Sequence, residues 1–153
     1  MTEIIWLPLK PFSINAMYYG NSKHGKTQDA REWSYNVFYI LSKEENAQKL
    51  RRLREEFNPK KHCYRVRISA YFPESEYFNK SGTMSAKCFD ISNFEKPLID
   101  LIFLEKYMYL DSPYGAQNLG TDDRYIRSLY SEKLPTKQDS HWMEVQLEIC
   151  PLT

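Results

Sequence analysis

The sequence predicts a single small α+β domain, because its hydrophobic pattern changes repeatedly between the period of a strand and that of a helix. Four segments have the short or alternating apolar pattern of strands, and two longer ones have apolar residues three or four positions apart. A chain of 153 residues can bury a substantial core in one domain. Its 42% apolar content and five glycines indicate a globular protein. We therefore expect one domain over residues 1–153 with one site.

The first predicted strand is the apolar run EIIWLPL at residues 3–9. Pro8 and Pro11 cannot donate a backbone hydrogen bond to a sheet, so we expect an edge strand or an early exit. Residues 10–28 contain turn-forming residues and no lasting period, which predicts a loop.

Residues 29–57 are predicted to be helical, and a break near Ser42 would divide them into two helices. Their apolar positions recur three or four residues apart, which places them on one helix face. These positions are Trp33, Val37, Ile40, Leu41, Leu50 and Leu53.

The next strand is predicted at residues 63–72, where CYRVRISAYF alternates apolar and polar side chains. The alternation indicates a half-buried strand with a basic face at Arg65 and Arg67. Residues 73–88 are rich in turn-forming residues, which favours a mobile connection.

The second half of the chain contains one predicted helix and two predicted strands. The helix covers roughly residues 92–106, and a loop follows at 110–121. Residues 125–134 fit a strand or a helix, and the branched Ile126 favours the strand. Residues 141–152, HWMEVQLEICPL, alternate so regularly that they predict a final strand.

Composition also limits the compartment. No apolar run approaches the roughly 18 to 20 residues that span a bilayer, and the N-terminus lacks the basic head and cleavage site of a signal peptide. We therefore expect a soluble, cytoplasmic protein with no membrane partner. Cys63, Cys88 and Cys150 lack metal-type pair spacing, and their odd number is unusual for a disulfide framework. We expect reduced, mostly buried thiols.

Charged residues are unevenly distributed although the net charge is only +1. No acid occurs between Glu3 and Asp29. Residues 43–67 hold nine Lys or Arg and four Glu, whereas residues 89–123 hold seven Asp or Glu and two Lys. Solvated faces are the simpler interpretation of such runs. The distribution also suits an acidic metal site that receives a phosphate backbone between basic flanks.

The segment FDISNFEKPLIDLI, residues 89–102, places polar side chains along a predicted helix that is otherwise made of core residues. Asn93, Lys96 and Asp100 share one helix face at i, i+3 and i+7. Asp90 lies just before the helix, where free backbone N–H groups can hold a carboxylate or a phosphate.

Two adjacent acids, Asp122 and Asp123 in TDDRYI, leave a loop and enter a predicted strand. A strand edge would direct one carboxylate into a cleft and the other away. Asp90 with one of these acids, completed by water, is the hard, oxygen-rich environment that Mg²⁺ prefers. Such an ion could activate a water, and Lys96 could bind the scissile phosphate or orient the attacking water.

Structural interpretations of the same residues stay open. SNFE at residues 92–95 fits a helix capping box, in which Ser92 only satisfies the first turn. Lys96 and Asp100 form an i, i+4 ion pair, which contributes little when exposed. Paired aspartates are also common in turns.

Three segments resemble the RusA family of Holliday-junction resolvases, which are small phage and prophage endonucleases. KPFSINAMYY is similar to the family's N-terminal loop of proline, serine and asparagine followed by an aromatic residue. DISNFEKPLIDLI is similar to its pattern of Asp, x, Asp, Asn, two residues, Lys, three residues, Asp and an apolar pair. DDRYIRSLYSEK is similar to its paired aspartates with an isoleucine and a later lysine. The order of these segments also agrees, so the resemblance spans most of the chain.

The resemblance implies a mixed β-sheet packed with helices, in a homodimer whose two active sites nick opposed strands of four-way junction DNA. The products would carry 5′-phosphate and 3′-hydroxyl ends, as recombination and repair require. Mg²⁺ would be the cofactor, with Mn²⁺ as a substitute. The protein would act in the cytoplasm of a bacterial host and be phage or prophage encoded.

Individual roles also follow from the resemblance. Asp90 and Asp123 would bind the ion, and Asp122 would help to complete the acidic cluster. Lys96 would act at the scissile phosphate. Ser92 and Asp100 would support the site. The implied substrate contacts are Lys10, Ser13, Asn15, Tyr18, Lys23, Lys26 and Asn93.

Two departures from the family pattern affect the expected function. Ser92 stands where the family's second aspartate often lies, which removes one anionic ligand. The interval from Lys96 to Asp122 is longer than usual and contains Asp111. The alternative function is therefore a dimeric protein that binds branched DNA without cutting it. A third is an α/β interaction domain with no nucleic-acid role.

Overall fold

The computed structural model describes residues 1–16, 27–88, 90–103 and 118–153. Within these ranges the strands are β1 (Thr2–Leu7), β2 (His62–Pro73), β3 (Ile126–Thr136) and β4 (Trp142–Pro151). The helices there are α1 (Gln28–Ser42), α2 (Glu44–Glu56), α3 (Glu74–Tyr77) and α4 (Ile91–Phe103). Short 3₁₀ turns form at Ile14–Ala16 and Asp123–Tyr125.

The strands form one mixed sheet in the order β1-β4-β2-β3. β4 runs antiparallel to both β1 and β2, whereas β2 and β3 are parallel. A parallel pair cannot be joined by a tight hairpin, so the chain crosses over through α3 and α4 between these two strands. The predicted α+β class with a mixed sheet is confirmed.

The helices pack on one face of the sheet. In β2 the alternation predicted from sequence is confirmed, since Tyr64, Val66 and Ile68 are buried while Arg65 and Arg67 are exposed. The inward side chains of the strands share one hydrophobic core with apolar residues of α1, α2 and α4. Burial of apolar surface in this core stabilises the fold and fixes the strand register.

The break predicted near Ser42 is confirmed. α1 begins after Thr27, whose hydroxyl accepts a hydrogen bond from the Ala30 backbone N–H at 3.2 Å. It ends at Ser42, because Lys43 has extended backbone angles of φ −61° and ψ 141°. β1 is an edge strand, as Pro8 and Pro11 indicated.

The structure also tests several predictions about individual segments. The ambiguous segment at 125–134 lies in strand β3. Within the predicted mobile connection, residues 74–77 form the single turn α3. The capping-box assignment for Ser92 is wrong, because α4 begins at Ile91 and Ser92 therefore lies inside its first turn. Residues 104–106 of the predicted helix and 110–117 of the predicted loop lie outside the described residues.

All three cysteines are buried free thiols, as expected. Among the helices of the described segments, none is long and apolar enough to cross a membrane.

Candidate functional site

α4 presents the predicted polar stripe at the end of the sheet where β2 and β3 begin. Its opposite face buries Phe94, Leu98 and Leu101 in the core, as their spacing predicted. That burial fixes the rotation of the helix, so Lys96 and Asp100 face away from the core. The i, i+4 spacing brings their side chains together, with Lys96 Nζ 2.6 Å from Asp100 Oδ1.

The paired aspartates lie in the 3₁₀ turn that leads into β3. Asp122 Oδ1 accepts a hydrogen bond of 2.8 Å from the Arg124 backbone N–H, which makes Asp122 the cap of this turn. The turn interpretation of the DD pair is therefore correct for Asp122. Asp123 faces α4, and its Oδ2 lies 3.5 Å from Lys96 Nζ.

A cavity of about 180 Å³ lies between α4 and this turn. It is lined by Lys96, Asp100, Phe103, Asp122 and Asp123. Four of these are residues that the sequence singled out, and they come from segments far apart in the chain. Phe103 was not predicted, and its ring forms the apolar wall against Tyr64, with ring centroids 5.3 Å apart.

Asp100 and Asp123 stabilise the protonated form of Lys96. The hydrogen bond to Asp100 is the main cause that raises the pKa of Lys96, and the charges of Asp100 and Asp123 add to it against the opposing effect of burial. Lys96 is therefore a firmly protonated cation, half exposed at 56% of its side-chain surface. Of the ion-paired side chains Lys96, Asp100 and Asp123, that of Asp100 is the most buried, with 17% of its surface exposed.

The donor set suits a hard cation, since the cavity offers carboxylate oxygens and no sulfur or imidazole. In the described part of the chain, however, no three His, Cys, Asp or Glu side chains are grouped closely enough to hold a metal alone. The Lys96 ammonium is hydrogen-bonded to both Asp100 and Asp123. Mg²⁺ commonly uses one or two carboxylates together with water and substrate phosphates, so Asp123 with Asp122 or Asp100 would meet that requirement.

Asp90, Ser92 and Asn93 lie at the other end of the polar stripe. They belong to the start of α4 and do not line the cavity. Helix geometry separates Asp90 from Lys96 by about 9 Å along the axis. The backbone carbonyl of Asp90 accepts the Asn93 N–H at 2.9 Å, which closes the first turn. Joint metal binding by Asp90 and Asp123 stays a prediction.

The predicted N-terminal contacts are only partly described. Ser13 and Asn15 lie at the 3₁₀ turn that packs against α4. Lys10 forms an ion pair with Glu76 at 2.9 Å, and Glu76 follows the far end of β2, away from the cavity. Tyr18, Lys23 and Lys26 lie outside the described residues.

Basic residues surround the end of the sheet that carries the cavity, and we call them the basic rim. Arg54 reaches from α2 to the Asn118 carbonyl, and Arg127 in β3 donates to the Pro151 carbonyl. The rim consists of Arg54 near the end of α2, Lys60 and Lys61 just before β2, Arg124 in the turn before β3, and Arg127 at the start of β3. Sequence reasoning did not single out Arg124, which directly follows the DD pair, or Arg127, which lies three residues further on.

Two other basic residues of segment 43–67 are paired with acids from strands β1 and β3. Arg52 pairs with Glu3 at 2.8 Å, and Arg67 pairs with Glu132 at 3.1 Å. These two pairs reduce the excess of positive charge that was counted along the sequence.

Comparison with models of known protein families gives no match, and comparison with curated proteins gives none either.

Proposed function

We propose that the protein is a Mg²⁺-dependent, structure-selective DNA endonuclease that resolves four-way junctions as a homodimer. The observation that carries this proposal is the convergence of Lys96, Asp100, Asp122 and Asp123 on one cavity. Two of the three segments that resemble the RusA family contribute their motif residues to this site, one from α4 and one from the turn before β3. The basic rim beside the cavity suits a phosphate backbone.

Asp123 is the best placed ligand for the ion. Its side chain is 44% exposed and reaches the cavity, and Asp122 retains one carboxylate oxygen beside the one that caps the turn. When bound, Mg²⁺ would lower the pKa of a coordinated water and neutralise charge on the phosphate.

Lys96 acts as a fixed positive charge. Asp100 orients its ammonium from the same helix, and the apolar wall at Phe103 limits water on one side. A phosphate oxygen entering the cavity would compete with Asp123 for Lys96, because the 3.5 Å contact is the longer of the two. Lys96 would then stabilise the negative charge that develops on the scissile phosphate.

A second candidate is a dimer that binds branched DNA without cutting it. Two observations favour this candidate. Ser92 replaces an acid of the family pattern, and the ion pairs of Lys96 engage two of the carboxylates that a metal would need. The basic rim would serve such a protein equally well.

A labelled four-way junction, incubated with the protein in Mg²⁺ or in EDTA, separates the two functions. If the protein is a nuclease, paired symmetric nicks should form only in Mg²⁺. If it only binds DNA, a retarded complex should form without any cleaved product. Asp123→Asn should abolish nicking and keep the retarded complex. Asp139→Asn is the matched control, because this exposed acid lies in the β3–β4 turn at the far end of the sheet. Equal nicking by wild type and Asp123→Asn would refute the assignment of the site.

A further inference from the structure

The sheet face opposite the helices, which we call the open face, has a hollow near its centre. The register sets four outward residues side by side across β1, β4, β2 and β3, namely Trp6, Glu144, Ser69 and Glu132. Ser69 has the smallest side chain of this row and is only 7% exposed. The larger side chains around it enclose a cavity of about 250 Å³, whose lining includes Arg67 and Tyr71 of β2.

Glu132 forms one wall of the hollow, and both of its carboxylate oxygens are engaged within the chain. Oε1 accepts a hydrogen bond of 2.8 Å from the Ser69 hydroxyl and pairs with Arg67 at 3.1 Å. Oε2 accepts a hydrogen bond of 3.4 Å from the Tyr130 hydroxyl. The Arg67 guanidinium also lies over the Tyr130 ring, 4.9 Å from its centroid. This wall is therefore ordered, and its two opposite charges compensate each other.

Glu144 forms the opposite wall and carries a negative charge that is not compensated. In the described part of the chain, its exposed carboxylate has no hydrogen-bond or ion-pair partner. Burial raises the pKa of Tyr71, and the charges of Glu144 and Glu132 raise it further against the effect of Arg67. Because Arg67 and Glu132 are already paired, Glu144 gives the hollow a net negative charge.

Apolar and aromatic side chains surround this charge. Trp6 lies opposite Glu144 in the register and is 55% exposed, and Ile4 on the same strand is 50% exposed. Trp142 precedes Glu144 by two residues on the same face of β4, and its ring stacks on Tyr71 at 4.6 Å. A carboxylate among aromatic rings attracts organic cations through ion pairing and through the faces of the rings. Exposed apolar residues interspersed with polar ones are also typical of an interaction site.

We propose that the open face binds a partner protein through a lysine or arginine side chain that enters the hollow above Ser69 and pairs with Glu144. Apolar residues beside that cation would pack on Ile4 and Trp6. A free metal ion or polyamine would leave those two side chains exposed, so the apolar surroundings favour a protein segment. This binding site is separate from the cavity at α4 and does not depend on the proposed nuclease.

The charges of the open face disfavour two other occupants. Its outward residues include two arginines and three glutamates: Arg65, Arg67, Glu132, Glu144 and Glu148. This negative balance would repel the phosphate backbone of DNA. A second copy of the chain, placed by a two-fold axis through the centre of the face, would bring two negative hollows together. A basic segment has the complementary charge.

A display library of short random peptides, selected on the intact chain, tests the ligand class. Peptides that bind the wild type should contain lysine or arginine next to aromatic or branched apolar residues. Selection on Glu144→Gln should no longer enrich the basic residue. The strongest peptide from the wild-type selection, synthesised with a fluorescent label, then serves as the probe for measuring affinity by anisotropy.

A double-mutant cycle tests the predicted contact. Glu144→Gln and replacement of the peptide's basic residue by glutamine should each weaken binding by about tenfold, because a charge-assisted hydrogen bond is lost. Both changes together should cost little more than either alone, since they remove the same interaction. Glu144→Lys should recover binding when the peptide carries glutamate at that position. Such recovery by an altered ligand shows that the variant is folded.

Two variants serve as controls. Glu55→Gln makes the same charge change on the exposed side of α2 and should leave the affinity unchanged. Trp6→Thr keeps a residue suited to a strand and should weaken the probe about tenfold, because apolar and aromatic contacts are lost. Nicking of a four-way junction by Glu144→Gln should equal that of the wild type, which keeps this test separate from that of the proposed nuclease.

Several outcomes would overturn the proposal. One is a selection that enriches no peptides, or only peptides without a basic residue. Another is equal affinity of the probe for wild type and Glu144→Gln. Spermidine that binds as tightly as the probe, with the same dependence on Glu144, would assign the hollow to small cations instead. Sedimentation in which Glu144→Gln alters self-association would assign the face to a second copy of the chain.

Discussion

Asp122 combines two possible roles in one side chain, and a pair of substitutions separates them. Asparagine can cap a turn as aspartate does, so Asp122→Asn should keep the hydrogen bond to the Arg124 N–H and the stability of the fold. It removes the negative charge, so metal-dependent nicking should fall at least tenfold if Asp122 belongs to the acidic cluster. Asp122→Ala should in addition lower the free energy of unfolding by about 1 kcal/mol. Urea unfolding and the nicking assay measure these effects.

If Asp122→Asn nicks at the normal rate while Asp122→Ala loses stability, Asp122 only caps the turn and has no role in cleavage. Asp123 would then be the only acid of the pair with a chemical role.

Asp90 provides a second test of the site, because the structure sets it apart from the cavity. The family resemblance predicts that Asp90→Asn removes nicking while junction binding stays equal or becomes tighter, since one negative charge near phosphate is lost. Nicking and gel retardation on the same junction measure both properties. An Asp90→Asn variant that nicks at the normal rate would restrict the ligand set to the cavity acids Asp100, Asp122 and Asp123.

Tyr64, near the start of β2, is a buried tyrosine that lies next to Phe103 of the cavity. Tyr64 stacks on Phe57 at a centroid distance of 4.6 Å and is fully buried. Among the described residues its hydroxyl has no hydrogen-bond partner, and burial raises its pKa well above the ordinary value. Tyr64→Phe should therefore raise the free energy of unfolding by about 1 kcal/mol, because it removes an unpaired buried polar group.

The control for Tyr64→Phe is Tyr77→Phe. The Tyr77 hydroxyl donates to the Lys133 carbonyl, so its loss should destabilise the protein slightly. A Tyr64→Phe variant that unfolds at lower urea than wild type would show that the hydroxyl has a partner in solution.

α3 is fixed to the rest of the domain by a charged group. Glu76 accepts hydrogen bonds from Lys10 and is paired with His141. Burial alone would raise the pKa of Glu76, but these two partners outweigh burial and lower the pKa below the ordinary 4.5. A depressed carboxyl pKa stabilises the fold above the unfolded value, and that stabilisation is lost as pH falls through the folded value.

We therefore expect stability to decrease below pH 4.5, and Glu76→Gln should reduce this pH dependence. Urea midpoints at neutral pH and at several values below 4.5 measure it. Glu74→Gln is the control, since Glu74 is exposed on the same turn. Identical pH profiles for wild type and Glu76→Gln would contradict the role of this pair.

At the level of the entire domain, the acidic cavity and the basic rim lie at the end of the sheet where β2 and β3 begin. If the basic rim contacts DNA, Lys60→Ala and Arg127→Ala should each weaken junction binding and reduce the slope of log affinity against log salt by about 1. The fold should be unaffected, because both residues are exposed. Lys137→Ala at the opposite end of β3 is the control. Unchanged affinity in the two rim variants would place the DNA elsewhere.

Much of the fold could be predicted because its determinants are local. The alternation in β2 and β4, the break at Ser42 and the apolar spacing of Phe94, Leu98 and Leu101 all follow from side-chain periods of two or 3.6 residues. The start of α4 was less predictable. SNFE satisfies a capping pattern that would place the first helical residue at Asn93, yet α4 begins two residues earlier at Ile91.

The sequence identified most residues of the site, but it did not predict how these residues are arranged in space. Lys96 and Asp100 meet through a local spacing, and Asp122 caps a local turn. Their approach to each other depends on the crossover between the parallel strands β2 and β3, which carries α4 onto the start of β3. No local pattern encodes that approach.

The sequence by itself determined the α+β class, the positions of the strands and helices, and the identity of the polar stripe, because each depends on neighbours within a few residues. Only the tertiary structure decided that Asp123 joins Lys96 and Asp100 while Asp90 does not line their cavity. It also decided that Arg67 is neutralised and that one sheet face stays open. These facts depend on strand order and register, which are set by the packing of the core and not by any single segment.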